Sequence, residues 1–531
     1  MLSTPRIGFA VAAAIIFLVG SALCSLLTHV STANIAQLFT EPYYLHVTKF
    51  SFYQATLSTL FSVGLAIPIA HALSRRRFVG KALLLKLFAS TLVLPVLVGV
   101  FGLLAIYGNR GLFVQGLNYF GNESSFSIYG LNGILLAHIF FNLPYATRLI
   151  LQALESIPHE QHKLSAHLGM GHWHKFRWVE WPFIKQQLPH IAGLVFMLCF
   201  TSFATVMALG GGPKATTIEL AIYQAIKFDF DLQTGALLAI WQIILCGIMT
   251  LVIQSLAKPL EVNLGISLSQ SRHEKDSWLS KCWDGFWIFS VLLFVLPPLI
   301  VVVFSGLNKQ TLDVLSSASL WHAFTTSIQI ALMASSIALL AGVAILITSR
   351  RLRLSSRIHS ANGIELIGTI ILVTPGLVLS TGIFLLFRMF TDVFSLAMGI
   401  VVIVNAMMGL PYVIKTLAQP MLHVEQQYQY LCSSLGLSGL NRLKVVEWPA
   451  LRKPLAHAFS ISFMFAFGDL SAVALFGSQD FRTLPLYLFQ LLGSYQMDAA
   501  AVVSLLLLCI SLSCFALIET LFRSNTRKNH A

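Results

Sequence analysis

Twelve long apolar runs, none of them alternating, leave this chain few ways to fold. They are centred near Phe17, Ser62, Val96, Ile139, Phe200, Cys246, Phe294, Ser335, Leu372, Ile403, Phe465 and Leu508. A hydrocarbon layer offers no partner to a backbone N–H or C=O, so a spanning segment is either a helix of roughly 20 apolar residues or a strand of a closed barrel. Unalternating runs are helices, and the expected fold class is all-α integral membrane with 12 transmembrane helices. Composition agrees: 56% of the 531 residues are hydrophobic and 10% charged, against about 25% charged in soluble proteins. The first run, within Met1 to Leu27 and behind Arg6, shows no clear small-residue cleavage site and is expected to remain as the first helix.

The formal charge of +13 could suggest a nucleic-acid partner, but its distribution gives another reading. Of the 34 Lys and Arg, 27 fall in connections on one side of the twelve runs and 7 on the other. Basic loops stay in the cytoplasm, so both termini are expected there and the charge is mostly an orientation signal. Seven cysteines (Cys24, Cys199, Cys246, Cys282, Cys432, Cys509 and Cys514) form no C-x-x-C and lie, on this topology, within the membrane or the cytoplasm. Neither a disulfide framework nor a zinc site is supported.

The chain repeats itself. A shift of 267 residues sets Leu168, Gly169, Val179, Glu180, Trp181 and Pro182 on Leu435, Gly436, Val446, Glu447, Trp448 and Pro449. It also pairs Leu143-Pro144-Tyr145 with Leu410-Pro411-Tyr412, and Phe196, Met197 and Phe200 with Phe463, Met464 and Phe467. Self-similarity at a fixed offset means duplication. Six runs per copy is an even number, so both halves enter the membrane alike, as a parallel repeat about an axis along the membrane normal. Any pathway then lies between the halves. The polar stretch Lys258 to Lys281 reads as a cytoplasmic linker, and prolines inside the runs, among them Pro95, Pro144, Pro375 and Pro411, permit bends.

The repeated block is a polar interruption, His159 to Gln187, between two apolar runs. It reads as a short helix Lys163 to Leu168, a break at Gly169, a second helix Trp173 to Val179 and a stop at Pro182. Leu164, Leu168, Trp173, Phe176 and Val179 recur about one turn apart, as do Leu431, Leu435, Leu440, Leu443 and Val446. Such a ridge suits a groove on another protein, or packing against the chain's own helix ends. The pattern alone supports both.

The motifs L-S-A-H-L-G with W-x-x-F-x-x-V-x-W-P, and L-C-S-S-L-G with L-x-x-L-x-x-V-x-W-P, resemble the EAA loop of bacterial ABC importer permeases of the type I fold. In that family the loop joins the fourth and fifth helices of each six-helix half and docks on the ATPase subunit. The resemblance implies that Ala166, Leu168, Gly169, Trp173, Phe176, Leu435, Gly436, Leu440 and Leu443 belong to ATPase-coupling loops. The family's second alanine falls on Ser165 and Cys432, and its glutamate on Lys163 and Tyr430, with Glu160 and Glu425 a few residues upstream. The segments LPVLVGVFGLLAIYG, FNLPYATRLILQALESIP, FATVMALGGGPKATTIELAIYQ and DFRTLPLYLFQLLGSY, with two halves in one chain, resemble the thiamine and thiamine-phosphate importer permeases of gammaproteobacteria. Ferric-ion importer permeases, also fused duplications, are the alternative.

This resemblance implies a division into residues 1–50 (first helix and periplasmic loop), 51–257 (first transmembrane domain), 258–321 (linker, seventh helix and loop), 322–522 (second domain) and 523–531 (cytoplasmic tail). It implies two copies of a separate ABC ATPase subunit and a periplasmic thiamine-binding protein as partners, with membrane lipid around the chain, in the bacterial inner membrane. No nucleic acid and no cofactor are expected.

Other features carry less. Gly210 to Lys214 is not G-x-x-x-x-G-K-[ST], and no ATP-binding motif occurs, so the energy-supplying subunit is expected to be another chain. His159, His162, His167, His172 and His174 lack H-E-x-x-H and a matching carboxylate set, and read as a solvated loop. Asp469 stands within the eleventh run, where a carboxylate costs about 2.5 to 3.5 kcal/mol on insertion scales. A helix-packing hydrogen bond is preferred there over a gate or a counter-charge. Phe200, Phe203, Phe467 and Asp469 are the candidate pathway residues, with Phe196 and Phe463 beside them and no Lys or Arg among them. A proton-coupled transporter would show several mid-membrane ionisable groups and no duplicated loop. A membrane enzyme would need a catalytic constellation, and none is recognisable.

Overall fold

The computed structural model describes residues 6–30, 32–109, 111–119, 127–256, 277–372, 374–388, 390, 392–478 and 480–523. Most of the polar linker lies outside the described residues; its last part, from Trp278, already belongs to a helix. In the first half the principal helices are α1 (Ile7–His29), α2 (Pro42–Arg75), α3 (Lys81–Val93), α4 (Val96–Tyr107), α5 (Leu131–Glu155), α6 (His159–His167), α7 (His172–Lys175), α8 (Trp181–Phe200), α9 (Phe203–Leu209), α10 (Ile218–Lys227) and α11 (Leu232–Leu256). The second half supplies α12 (Trp278–Ser305), α13 (Ala318–Leu354), α14 (Ile358–Thr369), α15 (Gly376–Arg388), α16 (Ala397–Ser434), α17 (Gly439–Arg442), α18 (Trp448–Gly468), α19 (Ser471–Phe476), α20 (Leu484–Gly493) and α21 (Met497–Arg523).

Among the described residues, 11 helical runs are long and apolar enough to cross a membrane. The remaining crossing, the ninth, is split into α14 and α15 ahead of and behind Pro375. Its counterpart is split in the same place, between α3 and α4 at Pro95. A proline pushes the residue before it out of the helical region, and Leu94 is extended, with ψ 128°. Pro144 and Pro411, by contrast, sit inside unbroken helices, α5 and α16.

The fifth crossing of each half is interrupted too. α8 gives way to α9 at Thr201-Ser202, and α18 gives way to α19 at Asp469-Leu470; Ser202 and Asp469 are 267 positions apart. Beyond each break a short helix, α10 or α20, is tied back to the second crossing of its own half. The Ser51 hydroxyl accepts from Ile218 N–H at 3.0 Å, and the Ser327 hydroxyl accepts from Leu484 N–H at 2.7 Å. The same orphan donor of a helix start is satisfied in the same way in both copies.

The first helix of each half packs on the other half. α1 lies against α13, α14 and α15, while α12 lies against α2 and α4. Small residues allow the approach, as membrane helix pairs require. A Cβ on Gly382 would fall 2.8 Å from the Ala22 carbonyl oxygen, and one on Gly102 would fall 2.5 Å from that of Pro298. Gly8 N–H donates to Thr348 Oγ1 at 3.2 Å. On the other crossover, the fully buried Asp284 of α12 binds Arg76 Nε at 2.6 Å and Arg75 Nε at 3.7 Å, both from the end of α2. One continuous core of buried side chains runs through both halves.

Candidate functional site: the duplicated coupling loops

Each loop starts at the end of the fourth crossing. In the first copy α5 stops at Glu155 and Pro158 opens α6, a separate helix of nine residues. In the second copy the position equivalent to Pro158 is Glu425, and α16 runs through it without a break to Ser434. One proline therefore decides whether the loop's first helix is jointed or continuous with the span above it.

Both helices end alike. Gly169 has φ +63° and Gly436 φ +64°, the left-handed region that favours glycine. Met170 N–H reaches back to the Ser165 carbonyl at 3.1 Å, and Leu437 N–H to that of Cys432 at 2.8 Å. This is the six-to-one hydrogen bond of a Schellman cap. Ser165 and Cys432, the small residues at the motif's alanine position, are buried.

Pro182 does not stop the helix as its sequence suggests. α7 continues through a π-turn, Phe176–Glu180, straight into α8, with Pro182 in the first turn; Leu443–Glu447 and Pro449 repeat this in the second copy. In an α-helix the proline ring would strike the carbonyl four residues back. Widening the preceding turn avoids that: Trp181 N–H bonds five back to Phe176, and Trp448 N–H to Leu443. π-turns of this kind recur at functional positions.

The ridges divide between solvent and protein. Leu164, Leu168 and Trp173 are exposed in the first loop, Leu431, Leu435 and Leu443 in the second, and Ala166 is exposed as well. Phe176 is half-buried, stacked with Trp173 at 5.9 Å and edge-on to His71 at 5.0 Å. Val179 and Val446 are half-buried too, and the side chain of Leu440 lies outside the described residues.

Sequence reasoning missed how the loops are anchored. Glu180 is buried, its carboxylate 2.9 Å from His71 Nε2 and 4.0 Å from Lys175 Nζ. Its repeat, Glu447, binds Arg350 at 2.8 Å and Arg442 at 3.2 Å. Glu425 joins the same cluster through Arg350 Nε at 3.2 Å and Arg442 at 2.5 Å. Burial opposes the charge of Arg442, but its hydrogen bond to Glu425 and the charges of Glu425 and Glu447 raise its pKa above the usual value. The recurrence of Glu180 as Glu447, and of Lys175 as Arg442, at the common offset was the available signal.

The candidate pathway residues are not gathered at one place. Phe200 is fully buried beside Phe52 at 5.0 Å and Phe196 at 5.7 Å, Phe203 meets Tyr223 at 5.3 Å, and Phe467 stacks on Phe463 at 5.9 Å. Each of these pairs lies within one half. Asp469 closes the break between α18 and α19. Its carboxylate accepts from Ser471 N–H at 3.1 Å, Ser471 Oγ at 2.7 Å and Ala472 N–H at 3.2 Å. At the other end of α19, Lys227 of the first half donates to the carbonyls of Leu475 at 3.1 Å and Gly477 at 3.0 Å.

Residues 49–260 and 355–527 match the family described as binding-protein-dependent transport system inner membrane component. The chain belongs to this family. The permease is 48% identical over 488 residues to the thiamine transport system permease protein ThiP of Escherichia coli (strain K12), covering 92% of this chain and 91% of that one. It is 41% identical to the protein of that name from Brucella abortus (strain 2308), covering 90% of this chain and 88% of that one. With the one from Haemophilus influenzae it shares 40% over 522 residues, 97% of this chain and 95% of the other. The permease is thus a multi-pass inner-membrane protein with its family's segment present twice.

Proposed function

We propose that the permease is the membrane-spanning subunit of an ATP-driven ABC importer that moves thiamine, and thiamine phosphates with it, across the inner membrane. The observation that carries this reading is identity of 40 to 48% over nearly the full length of permeases named for thiamine transport. ATP hydrolysis belongs to a separate subunit present in two copies, one beneath each coupling loop. A periplasmic thiamine-binding protein delivers the substrate, and both termini and both loops face the cytoplasm.

The geometry supports a mechanical role for the loops. Leu164, Leu168 and Trp173, with Leu431, Leu435 and Leu443, offer two exposed apolar ridges to the ATPase. Drawing the ATPases together pulls the ridges, and the buried ion pairs carry that pull inward: Glu180 to His71 on α2, Glu447 to Arg350 on α13. Those helices lead to Ser51 and Ser327, which hold α10 and α20. The Lys227 contact with the end of α19 joins the halves on the far side and must part when that side opens.

Deleting the chain is expected to abolish uptake of labelled thiamine at low external concentration and to leave ferric-iron uptake intact. The reverse pattern would move the permease to the iron branch of the same fold.

A further inference from the structure

Residues that carry a Cβ seldom adopt the left-handed backbone region. Among the described residues other than glycine, only Phe230 (φ 54°), Ser356 (φ 59°) and Tyr495 (φ 58°) do so. Two of the three are aromatic, and these two stand in equivalent places. Each lies two residues before the last crossing of its half, Phe230 ahead of α11 and Tyr495 ahead of α21. Tyr495 occupies the turn of a helix cap in which Gln496 N–H reaches back to the Leu491 carbonyl at 3.0 Å, and Asp231 N–H closes the turn of Phe230 onto the Ala225 carbonyl at 2.9 Å. The coupling loops place glycine, Gly169 and Gly436, in this conformation. A bulky residue is poorly suited to it, and packing of the ring would be the ordinary compensation. Neither ring is packed. Phe230 is 79% and Tyr495 82% exposed, and neither side chain has a ring contact or a hydrogen bond among the described residues. Backbone strain without a structural return is kept at sites of function.

Both turns lie at the end of the molecule away from the coupling loops, at the seam between the halves. The helix before Phe230, α10, lies against α15 and α19 of the second half, and the helix before Tyr495, α20, lies against α4 of the first. Lys227, three residues ahead of Phe230, makes its bonds to Leu475 and Gly477 across that seam and stands 6.0 Å from the Phe394 ring. Asp229 and Asp231 flank Phe230, Asp498 follows Tyr495 by three residues, and all three acids are exposed. Such a rim repels anionic headgroups, whereas a soluble protein with apolar sockets edged by Lys or Arg complements it. The family is named for its dependence on a binding protein, and a partner arriving from the periplasm meets this end of the permease first.

We propose that Phe230 and Tyr495 are the anchors on which the substrate-loaded periplasmic binding protein docks, one supplied by each half. Aromatic side chains that a partner buries in sockets dominate many interfaces, and a turn already fixed in its bound shape lowers the ordering cost of docking. With one anchor per half, a single partner bears on both halves at once, beside the Lys227 contact that parts when the outer side opens. The inference rests on the reading of the chain as a thiamine importer and adds to it the surface by which the soluble partner is recognised.

The test is the ATPase activity of the reconstituted complex of permease and ATPase, titrated with the thiamine-loaded binding protein. Asn adopts the left-handed region more readily than Phe or Tyr, so Phe230→Asn with Tyr495→Asn removes both rings without opposing the turns. The binding-protein concentration that gives half-maximal stimulation is expected to rise about tenfold or more, as for the loss of interface anchors, while the unfolding temperature of the complex does not fall. Phe230→Tyr and Tyr495→Phe, which keep the rings, are expected to leave that concentration near its original value. An unchanged half-maximal concentration in the double Asn variant overturns the docking assignment. So does a shift that is present in bilayers and absent in detergent, which would give the rings to the lipid headgroups, or a lowered unfolding temperature, which would make them part of the fold. Failure of the thiamine-loaded binding protein to stimulate the unsubstituted complex overturns the importer reading itself, and this docking site with it.

Discussion

Gly169 and Gly436 are the residues whose identity the loops depend on most directly. Both have φ near +64°, and a Cβ at either would meet nothing within 4 Å, so a substitution there is resisted by the backbone alone. The left-handed conformation costs a residue with a Cβ about 1 to 2 kcal/mol, and a β-branched residue is the least suited to it. Gly169→Val and Gly436→Val are therefore expected to lower transport and ATPase stimulation while the permease stays in the membrane, and Asn at the same positions to restore part of both. Full coupling in the double Val variant would remove the two turns from the mechanism. Asp469 shows the opposite economy. A carboxylate inside an apolar run is satisfied by the start of a short helix, as a cap takes the orphan N–H groups of that helix.

At the scale of elements, the two duplicated loops are unlike. The first is jointed at Pro158 and anchored by one histidine and one lysine on Glu180; the second is continuous with α16 and held by two arginines and two glutamates. Arg350 and Glu425 are almost wholly buried, and removing one partner of such a pair costs about 3 to 5 kcal/mol because the other is left uncompensated. Arg350→Met is expected to raise amide hydrogen exchange across residues 425–447 sharply. His71→Leu is expected to raise exchange across residues 172–180 by less, since a histidine can leave Glu180 with Lys175. Equal responses would mean that the ion cluster does not set the stiffness of the second loop.

Across the whole molecule the halves are bound by exchange of their first helices. α1 rides on the second half and α12 on the first, with a close glycine contact at each crossing and the buried Asp284 with Arg75 and Arg76 added at the second. Orientation follows from charge: with Lys and Arg divided 27 to 7, a cysteine at the exposed Asn441, in a background free of native cysteines, is expected to react with an impermeant thiol reagent from the cytoplasmic side alone. Labelling from the periplasm would invert the topology.

By itself the sequence determined the class of fold, the twelve crossings, the duplication and the position of both loops, because these follow from hydropathy and from identity at a fixed offset, and neither needs knowledge of what packs on what. It also indicated Gly169 and Gly436 as turns, since only a helix-breaking residue recurs there. Two things were decided by tertiary structure. Pro182 and Pro449 begin helices, because a π-turn whose existence no local propensity announces carries the chain past the clash. Phe200, Phe203 and Phe467 pack within their own halves, because an apolar residue looks the same in sequence whichever way it faces.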